Sequence, residues 1–274
     1  MDDNEETVKK SILPDGICLI SLNRPHRRNA VDPATAKKLY EAFLAFEAST
    51  EQKICVFYGE HGTFCAGADL HEVAQIKDDE AKSLTPVQDR NQGPMGPSRL
   101  QTKKPVIAAV AGHAVAGGLE LSLLADMRVV EESAIFGVFC RRWGVPLIDG
   151  GTVRLQRIIG LGRALDMILT GRPVGAREAL QMGLANRVVA DGKALDTAIS
   201  IARQLVKFPQ LCMNADRESA YYAAYDSVSF TDALRYEFEN GSRVVIAEGK
   251  VGAARFKEGA GRHGDFSEAK HSKL

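Results

Sequence analysis

Hydrophobic and polar positions over the first ~190 residues alternate between short apolar runs and segments with apolar residues every three or four positions. Short apolar runs predict buried strands, and the helical spacing predicts amphipathic helices. The predicted strands are 16–22, 53–59, 105–110, 127–130, 134–138 and 186–189. The predicted helices are 33–47, 119–125, 151–159, 163–170 and 176–182. Strands that alternate with helices in this way predict an α/β core.

The pattern changes twice along the chain. Residues 74–100 are polar and irregular, contain three prolines, and are predicted to form a mobile lobe. From about Lys193 the chain is predicted to be helical, with breaks near Phe208 and Gly241. We therefore predict a core domain over residues 1–192, a C-terminal helical region over 193–258 and a flexible tail over 259–274. Whether the 74–100 lobe closes on a ligand is left open.

Charge and cysteine usage narrow the classes of partner. Lys plus Arg and Asp plus Glu both total 35, so the formal net charge is zero. A nucleic-acid or membrane-surface partner would require a basic excess, and neither is predicted. No apolar run approaches the ~20 residues of a membrane span. The five cysteines include no C-x-x-C pair, which indicates a reduced compartment without a disulfide framework, a structural zinc or another metal site.

The last three residues are Ser272, Lys273 and Leu274, which match the receptor-read address for peroxisomal import. The preceding residues 259–270 are rich in glycine and charge and are predicted to present this tripeptide in a flexible tail. We therefore expect a peroxisomal location, with the import receptor as a partner.

Two segments, 64–70 and 114–120, share one layout. Each runs from a strand through a turn of Gly and Ala into the start of a helix. Small residues let the backbone approach a ligand closely, and a helix N-terminus leaves free N–H groups with a partial positive charge. Two such N–H groups aimed at one point would form an oxyanion hole. The spacing alone leaves open the alternative that both turns serve only packing.

The two segments belong to a longer series of motifs, by which the chain resembles the crotonase superfamily, also called the enoyl-CoA hydratase/isomerase family. The resemblance covers roughly residues 16–189, and the order of the motifs is highly specific although no single one is decisive. The motifs are Leu22-Asn23-Arg24-Pro25, Asn29-Ala30, Phe64-Cys65-Ala66-Gly67-Ala68-Asp69-Leu70, Pro105-Val106-Ile107-Ala108-Ala109-Val110, Gly117-Gly118-Leu119-Glu120, Gly150-Gly151-Thr152, Leu161-Gly162-Arg163-Ala164 and Leu169-Thr170-Gly171.

This resemblance implies a fold and a substrate class. The implied fold is a spiral of repeated ββα units followed by a C-terminal helical region that forms a homotrimer, or a dimer of trimers. The implied substrate is an acyl thioester of coenzyme A, so coenzyme A enters as part of the substrate and no permanently bound cofactor is expected. Apolar and aromatic positions within 221–238 are compatible with a helix contact between subunits.

The resemblance also assigns roles to individual positions. It implies that the peptide N–H groups of Ala68 and Gly117 hold the thioester oxygen, on which negative charge develops in an enolate-like state. The positions that correspond to coenzyme A contacts of the family are Arg28, Ala66, Asp69 and Leu70. For Arg28, a solvated surface role is an equally open alternative.

The candidate acid and base residues match the pattern of the related hydratases only in part. Glu120 stands at the first of two glutamate positions used by related hydratases, whereas the second falls on Cys140. A thiol with a pKa of ~8.5 carries protons poorly at neutral pH, so Cys140 is predicted to be a small packed residue. Asp149 lies in an otherwise apolar segment, where burial would raise its pKa and suit it to proton transfer. Some isomerases and a dehalogenase of the superfamily carry an acid there, and the alternative role for Asp149 is a helix N-cap.

Four functions are compatible with these residues. The leading hypothesis is reversible hydration of a 2-enoyl-CoA by Glu120 and Asp149, in peroxisomal fatty-acyl or specialised acyl metabolism. The first alternative is an enoyl-CoA double-bond isomerase that shuttles a proton on Asp149. Another reaction of the superfamily on a specialised substrate and a catalytically silent scaffold are also open, because Cys140 replaces one expected acid.

Overall fold

The computed structural model describes residues 6–75 and 86–261 and confirms the mixed α/β class. Its strands are β1 Val8–Ile12, β2 Ile17–Leu22, β3 Ile54–Gly59, β4 Val106–Val110, β5 His113–Val115, β6 Met127–Glu131, β7 Ile135–Gly137, β8 Val174–Gly175 and β9 Arg187–Val189. Its α-helices are α1 Pro33–Ala48, α2 Leu70–Val73, α3 Gly117–Leu124, α4 Gly151–Ile159, α5 Leu161–Thr170, α6 Ala176–Gln181, α7 Ala194–Lys207, α8 Gln210–Tyr225, α9 Phe230–Val244 and α10 Lys250–Lys257.

The strands form two sheets. The larger has the order β1-β2-β3-β4-β6-β9 and is parallel except for the antiparallel β1–β2 pair. The smaller has the order β5-β7-β8. The pairs β4–β5 and β6–β7 each place one strand in the larger sheet and the next in the smaller sheet, and an α-helix follows each pair, which is the predicted repetition of ββα units.

Local sequence explains the main elements. Strands β3 and β4 are nearly continuous apolar runs because a parallel sheet is covered on both faces. Helix α1 begins where predicted, since Asp32 accepts a hydrogen bond from the Thr35 N–H at 2.7 Å and Pro33 occupies the first turn. Edge-to-face contacts of Phe57 with Phe43 and Phe64, at 5.4 and 5.1 Å between ring centroids, join α1 to the sheet.

Several elements differ from the sequence prediction. The short strands β1, β5 and β8 were not predicted. Helix α3 starts at Gly117, two residues before the predicted start at Leu119. The residues of α3 are all buried, so the boundary carries no amphipathic signal.

The predicted lobe at 74–100 is described only in part, because 76–85 lie outside the described residues. Residues 93–100 are mostly buried rather than a polar surface segment. They contain a tight turn in which Gly93 and Gly96 exchange backbone hydrogen bonds at 2.8 and 2.9 Å, followed by a 3-10 turn at Pro97–Arg99. This stretch therefore belongs to the packed structure around the cleft described below.

The chain divides into two compact units, Met1–Val206 and Lys207–Leu274. The predicted domain boundary at 192 falls in the loop before α7 and stays a prediction. In the second unit, α8 and α9 pack through stacked Tyr222 and Tyr236 rings, 3.9 Å apart. The tripeptide Ser272-Lys273-Leu274 lies outside the described residues. No helix in 6–75 or 86–261 has the length and apolarity that crossing a membrane requires.

Candidate active site

A cleft of about 1600 Å³ lies in the first unit. Every residue that the sequence singled out for a site role lines it: Arg28, Ala66, Ala68, Asp69, Leu70, Gly117, Glu120 and Asp149. These residues are spread over some 120 positions of the chain and come from the loop before α1, the two Gly/Ala turns, α3 and the loop before α4. The structure therefore brings the candidate residues to one place, while their individual roles remain predictions.

The two Gly/Ala turns lie side by side in register. Cys65 forms a parallel bridge with Ala114, with hydrogen bonds from the Cys65 N–H to the His113 carbonyl at 2.8 Å and from the Val115 N–H to the Cys65 carbonyl at 3.1 Å. Three residues further on, each segment reaches its candidate N–H donor. A Cβ atom added at Gly67 would lie 3.1 Å from the Gly117 nitrogen, which shows how closely the turns approach.

Neither the Ala68 nor the Gly117 N–H has a hydrogen-bond acceptor within the described part of the chain, and both residues line the cleft. Gly117 is the first residue of α3, so its N–H belongs to the positive end of that helix. Two unpaired N–H groups that face one cleft from adjacent turns can bind a developing oxyanion.

The turn before α3 has an unusual backbone conformation. Ala116 has φ 52° and ψ −123°, a region that normally requires glycine. The conformation is held by the hydrogen bond from the Ala116 N–H to the Gly137 carbonyl at 2.8 Å. Strain of this kind persists where the surrounding structure fixes it, and here it precedes the residue that presents the Gly117 N–H.

Glu120 is buried in the wall of the cleft, with only 3% of its surface exposed. Its Oε1 accepts hydrogen bonds from the N–H groups of Asp149 at 2.9 Å and Gly151 at 2.8 Å. Burial, followed by the negative charge of Asp149, raises the pKa of Glu120 to about 8. Gly151 must lack a side chain, because a Cβ there would lie 2.9 Å from Oε1. Glu120 thus retains its proton at neutral pH.

Asp149 is equally buried, at 3% exposure, and its Oδ1 accepts hydrogen bonds from the Met95 N–H at 2.9 Å and from the Ser98 hydroxyl. Burial raises the pKa of Asp149, against the effect of these two donors and of the Arg99 and Arg154 charges. The alternative role as an N-cap is wrong: Gly150 is the N-cap of α4 and no side chain caps that helix.

Each carboxyl group therefore has one oxygen fixed by two donors. No donor within the described residues is assigned to Oε2 of Glu120 or to Oδ2 of Asp149. Because the Asp149 N–H binds Glu120 directly, the two groups are also held at a fixed separation. The arrangement can give and accept protons at a reacting group in the cleft.

Cys140 lies in a short 3-10 helix, Phe139–Trp143, is buried, and lines the same cleft. Burial and the nearby Glu120 charge raise the pKa of the Cys140 thiol, so it remains neutral at physiological pH. A neutral, buried thiol agrees with the predicted packed residue. No group of three or more His, Cys, Asp or Glu side chains in the described ranges could hold a metal ion.

The candidate coenzyme A residues line the cleft but differ in exposure. Arg28 is exposed, with a left-handed backbone at φ 50°. The Asp69 carboxylate is used by the protein itself, because it pairs with Arg24 at 3.2 Å and accepts the His71 N–H at 3.1 Å as the N-cap of α2. The Asp69 side chain therefore stabilises the start of α2 and its contact with Arg24. The predicted contact of Asp69 with coenzyme A stays a prediction.

Sequence reasoning missed Met95 and Ser98, which hold Asp149. Their segment, Gly93-Pro94-Met95-Gly96-Pro97-Ser98, shows turn chemistry, but nothing local indicates that it packs against a residue more than fifty positions away.

The chain is similar in sequence to known proteins over most of its length. A family model described as enoyl-CoA hydratase/isomerase matches residues 13–260. The enoyl-CoA hydratase EchA19 of Mycobacterium tuberculosis is 32% identical over 248 residues, which cover 88% of this chain and 90% of that protein. A carnitinyl-CoA dehydratase of Escherichia coli is 35% identical over 222 residues, 79% of this chain and 80% of that protein.

Solved structures of enoyl-CoA hydratases have a similar fold. A crystal structure of an enoyl-CoA hydratase from Mycobacterium tuberculosis superimposes with a TM-score of 0.83 at 30% identity, over 93% of this chain and 96% of that one. An enoyl-CoA hydratase subunit from Geobacillus kaustophilus superimposes with a TM-score of 0.84 at 30% identity, over 92% and 95% of the two chains. With its motifs in order, its two adjacent N–H donors and these matches, the chain belongs to the enoyl-CoA hydratase/isomerase family of acyl-CoA enzymes.

Proposed function

We propose that the protein is an enoyl-CoA hydratase, which adds water reversibly to a 2-enoyl-CoA and forms a 3-hydroxyacyl-CoA. The observation that carries this proposal is the pair of buried carboxyl groups, Glu120 and Asp149, joined through the Asp149 N–H at 2.9 Å beside two unpaired N–H donors. The names of relatives support it, since one is an enoyl-CoA hydratase and another a dehydratase of an acyl-CoA.

The two N–H donors would act on the thioester. When water adds to the β-carbon, the π electrons of the double bond move towards the thioester oxygen, which gains negative charge. The N–H groups of Ala68 and Gly117 would stabilise that oxygen, and such a donor is worth about 3–4 kcal/mol in a preorganised site. Because the groups are fixed in two paired turns, little reorganisation is needed during the reaction.

The two carboxyl groups would divide the proton transfers. Burial raises the pKa of Asp149, but its two hydrogen bonds and the charges of Arg99 and Arg154 favour the ionised form, so we assign it the removal of a proton from water. Glu120, whose pKa is about 8, would deliver its proton to the α-carbon. The reverse transfers complete dehydration, and exchange with solvent restores the two protonation states between turnovers.

An isomerase is the second candidate, favoured by Cys140 at the second-glutamate position and by Asp149 in a buried wall. In this reaction Asp149 would remove a proton from the α-carbon of a 3-enoyl-CoA. It would then return the proton to the γ-carbon, while the double bond moves into conjugation and the N–H pair stabilises the dienolate. No water is added.

Absorbance of the conjugated thioester distinguishes the two reactions. We would mix the protein with 2-enoyl-CoAs and 3-enoyl-CoAs, alongside Glu120→Gln, Asp149→Asn and the exposed control Glu132→Gln. A hydratase lowers the absorbance of 2-enoyl-CoA, and either site variant should slow it by about 100-fold or more. An isomerase raises the absorbance from 3-enoyl-CoA and depends more on Asp149 than on Glu120. Binding of the thioesters without either change would contradict both proposals and favour another reaction or a silent scaffold.

We also propose a peroxisomal location, on the sequence Ser272-Lys273-Leu274 alone. A fluorescent protein fused to the N-terminus of the chain should enter peroxisomes. Removal of the three residues should leave the fusion in the cytosol because the import receptor reads the free C-terminal tripeptide. The same distribution for both fusions would contradict the proposal.

A further inference from the structure

We propose that Ser98 is a positioning residue for Asp149. Its hydroxyl fixes Oδ1 of Asp149, so that Oδ2 is left for the reacting group, and Arg154 holds the Ser98 backbone in place for this task. The inference rests on the proposed function only in taking Asp149 as the base. Ser98 lies 51 positions before Asp149.

The 93–100 segment is shaped around the Asp149 carboxylate. Its tight turn aims the Met95 N–H at Oδ1, 2.9 Å away, and three residues later the Ser98 hydroxyl reaches the same oxygen. Ser98 is fully buried and Met95 is nearly so. Gly93 must lack a side chain, because a Cβ at that position would lie 2.6 Å from Oδ1. Three positions of one short segment are thus restricted by a single carboxylate oxygen.

Arg154 also holds the 93–100 segment in place. It lies on α4, five residues after Asp149, and its Nη1 and Nη2 groups donate to the carbonyl oxygens of Ser98 and Leu100, the latter at 2.9 Å. Helix α4 therefore holds the 93–100 segment through Arg154. The same segment holds Asp149, which lies two positions before the start of α4. This mutual attachment fixes the angle at which the Ser98 hydroxyl meets Oδ1.

The charges around Asp149 indicate what the hydroxyl does. The charged or titratable groups that face Asp149 are Glu120 on α3, Arg99 on the 93–100 segment and Arg154 on α4. Burial raises the pKa of Asp149, and the Ser98 hydrogen bond is the first of the contributions that lower it. Loss of the hydroxyl would leave Oδ1 with one donor, favour the protonated acid and release the carboxylate from its fixed orientation.

Kinetics provide the first test. Ser98→Ala should lower kcat by about 10-fold and leave KM for the acyl-CoA within about 2-fold, because Ser98 orients the base rather than the substrate. The acid limb of the pH profile of kcat/KM should move to higher pH by about 0.5–1 unit. Ser122→Ala is the matched control, since Ser122 is also fully buried but donates to the Leu119 carbonyl within α3. A drop in kcat without movement of the acid limb would overturn the proposal.

A second test needs no turnover. An acid with a raised pKa destabilises the fold as pH rises from its unfolded-state pKa of ~3.9 towards the folded-state pKa, so the Tm deficit of Ser98→Ala relative to wild type should grow as pH rises through this range. In the Asp149→Asn background the same deficit should be independent of pH. A deficit that is constant with pH in both backgrounds would show that Ser98 only supports the fold. If the wild type turns over neither enoyl-CoA, the proposed function fails while this result still decides the role of Ser98.

Discussion

Burial of Glu120 connects its proton to the stability of the fold. A glutamate in an unfolded chain titrates near pH ~4.3, whereas the pKa of folded Glu120 is about 8. Between these values the folded state binds a proton that the unfolded state has released, so the free energy of unfolding falls as pH rises. Below about pH 4 the carboxyl group is protonated in both states and makes no pH-dependent contribution. The site thus keeps a proton donor at neutral pH. The loss in the free energy of unfolding that this causes reaches its full value above about pH 8.

Replacing this one ionisable group should remove that cost. Glu120→Gln keeps an Oε1 acceptor for the Asp149 and Gly151 N–H groups but cannot ionise. We expect the variant to be more stable than wild type by about 1–3 kcal/mol at pH 8–9, and to differ little at pH 4–5. Urea unfolding over this pH range measures the difference, with exposed Glu132→Gln as the control. Parallel stability curves for wild type and Glu120→Gln would contradict the raised pKa.

Pairing of two short elements creates the candidate oxyanion hole. The bridge between Cys65 and Ala114 sets the register of the two turns, so that Ala68 and Gly117 fall opposite one another. Gly118 allows this approach, since a Cβ there would lie 2.0 Å from the Cys65 carbonyl oxygen and 2.7 Å from its carbon. Both atoms belong to backbone, which cannot move aside without displacing the Ala68 turn.

Adding one methyl group at Gly118 should therefore separate the turns. We expect Gly118→Ala to cost about 3 kcal/mol of stability and to lower turnover of the enoyl-CoA by 100-fold or more, because the N–H donors lose their common target. Gly162→Ala is the matched control: Gly162 lies in α5 with no atom within 4 Å of the added Cβ. That change should leave activity intact and stabilise the protein by about 0.5–1 kcal/mol. Equal behaviour of the two variants, in melting temperature and in activity, would refute the close-packing argument.

Local patterns and long-range contacts differ in how far the sequence predicts them. The apolar runs of β3 and β4 and the Asp32 cap of α1 were predicted because their signals lie within a few residues. The strand β5 was missed because it is three residues long and is defined by its partner in the smaller sheet. The positive φ of Ala116 was unforeseeable, since alanine gives no sign of a conformation that glycine prefers.

The candidate site shows the same difference between local patterns and long-range contacts. The sequence singled out Glu120, Asp149 and the two turns, which line one cleft, but the 93–100 segment was predicted to belong to a polar lobe. Its burial depends on contacts with Asp149 and Arg154, more than fifty residues away, and such pairing leaves no local pattern of hydrophobic positions. The residues that line the cleft were therefore more predictable than the segment that supports them.

At the scale of the whole molecule, the second unit exposes large apolar side chains. Phe230 is 79% exposed, Phe238 is 74% exposed and Ile246 is 79% exposed. Exposed apolar surface of this kind is typical of interaction sites. The family resemblance implies a homotrimer or a dimer of trimers, and we propose that a second copy of this chain covers these residues.

Light scattering on the purified protein tests this assembly directly. The wild type should have the mass of a trimer or twice that mass. The Phe230→Glu, Phe238→Glu double variant should shift towards the monomer, because it removes two aromatic contacts worth roughly 2–3 kcal/mol each and would bury two unpaired charges. Ile12→Glu, at a residue that is 55% exposed on the edge strand β1, is the control and should keep the wild-type mass. A monomeric wild type, or a double variant that assembles normally, would place the subunit contact elsewhere or exclude it.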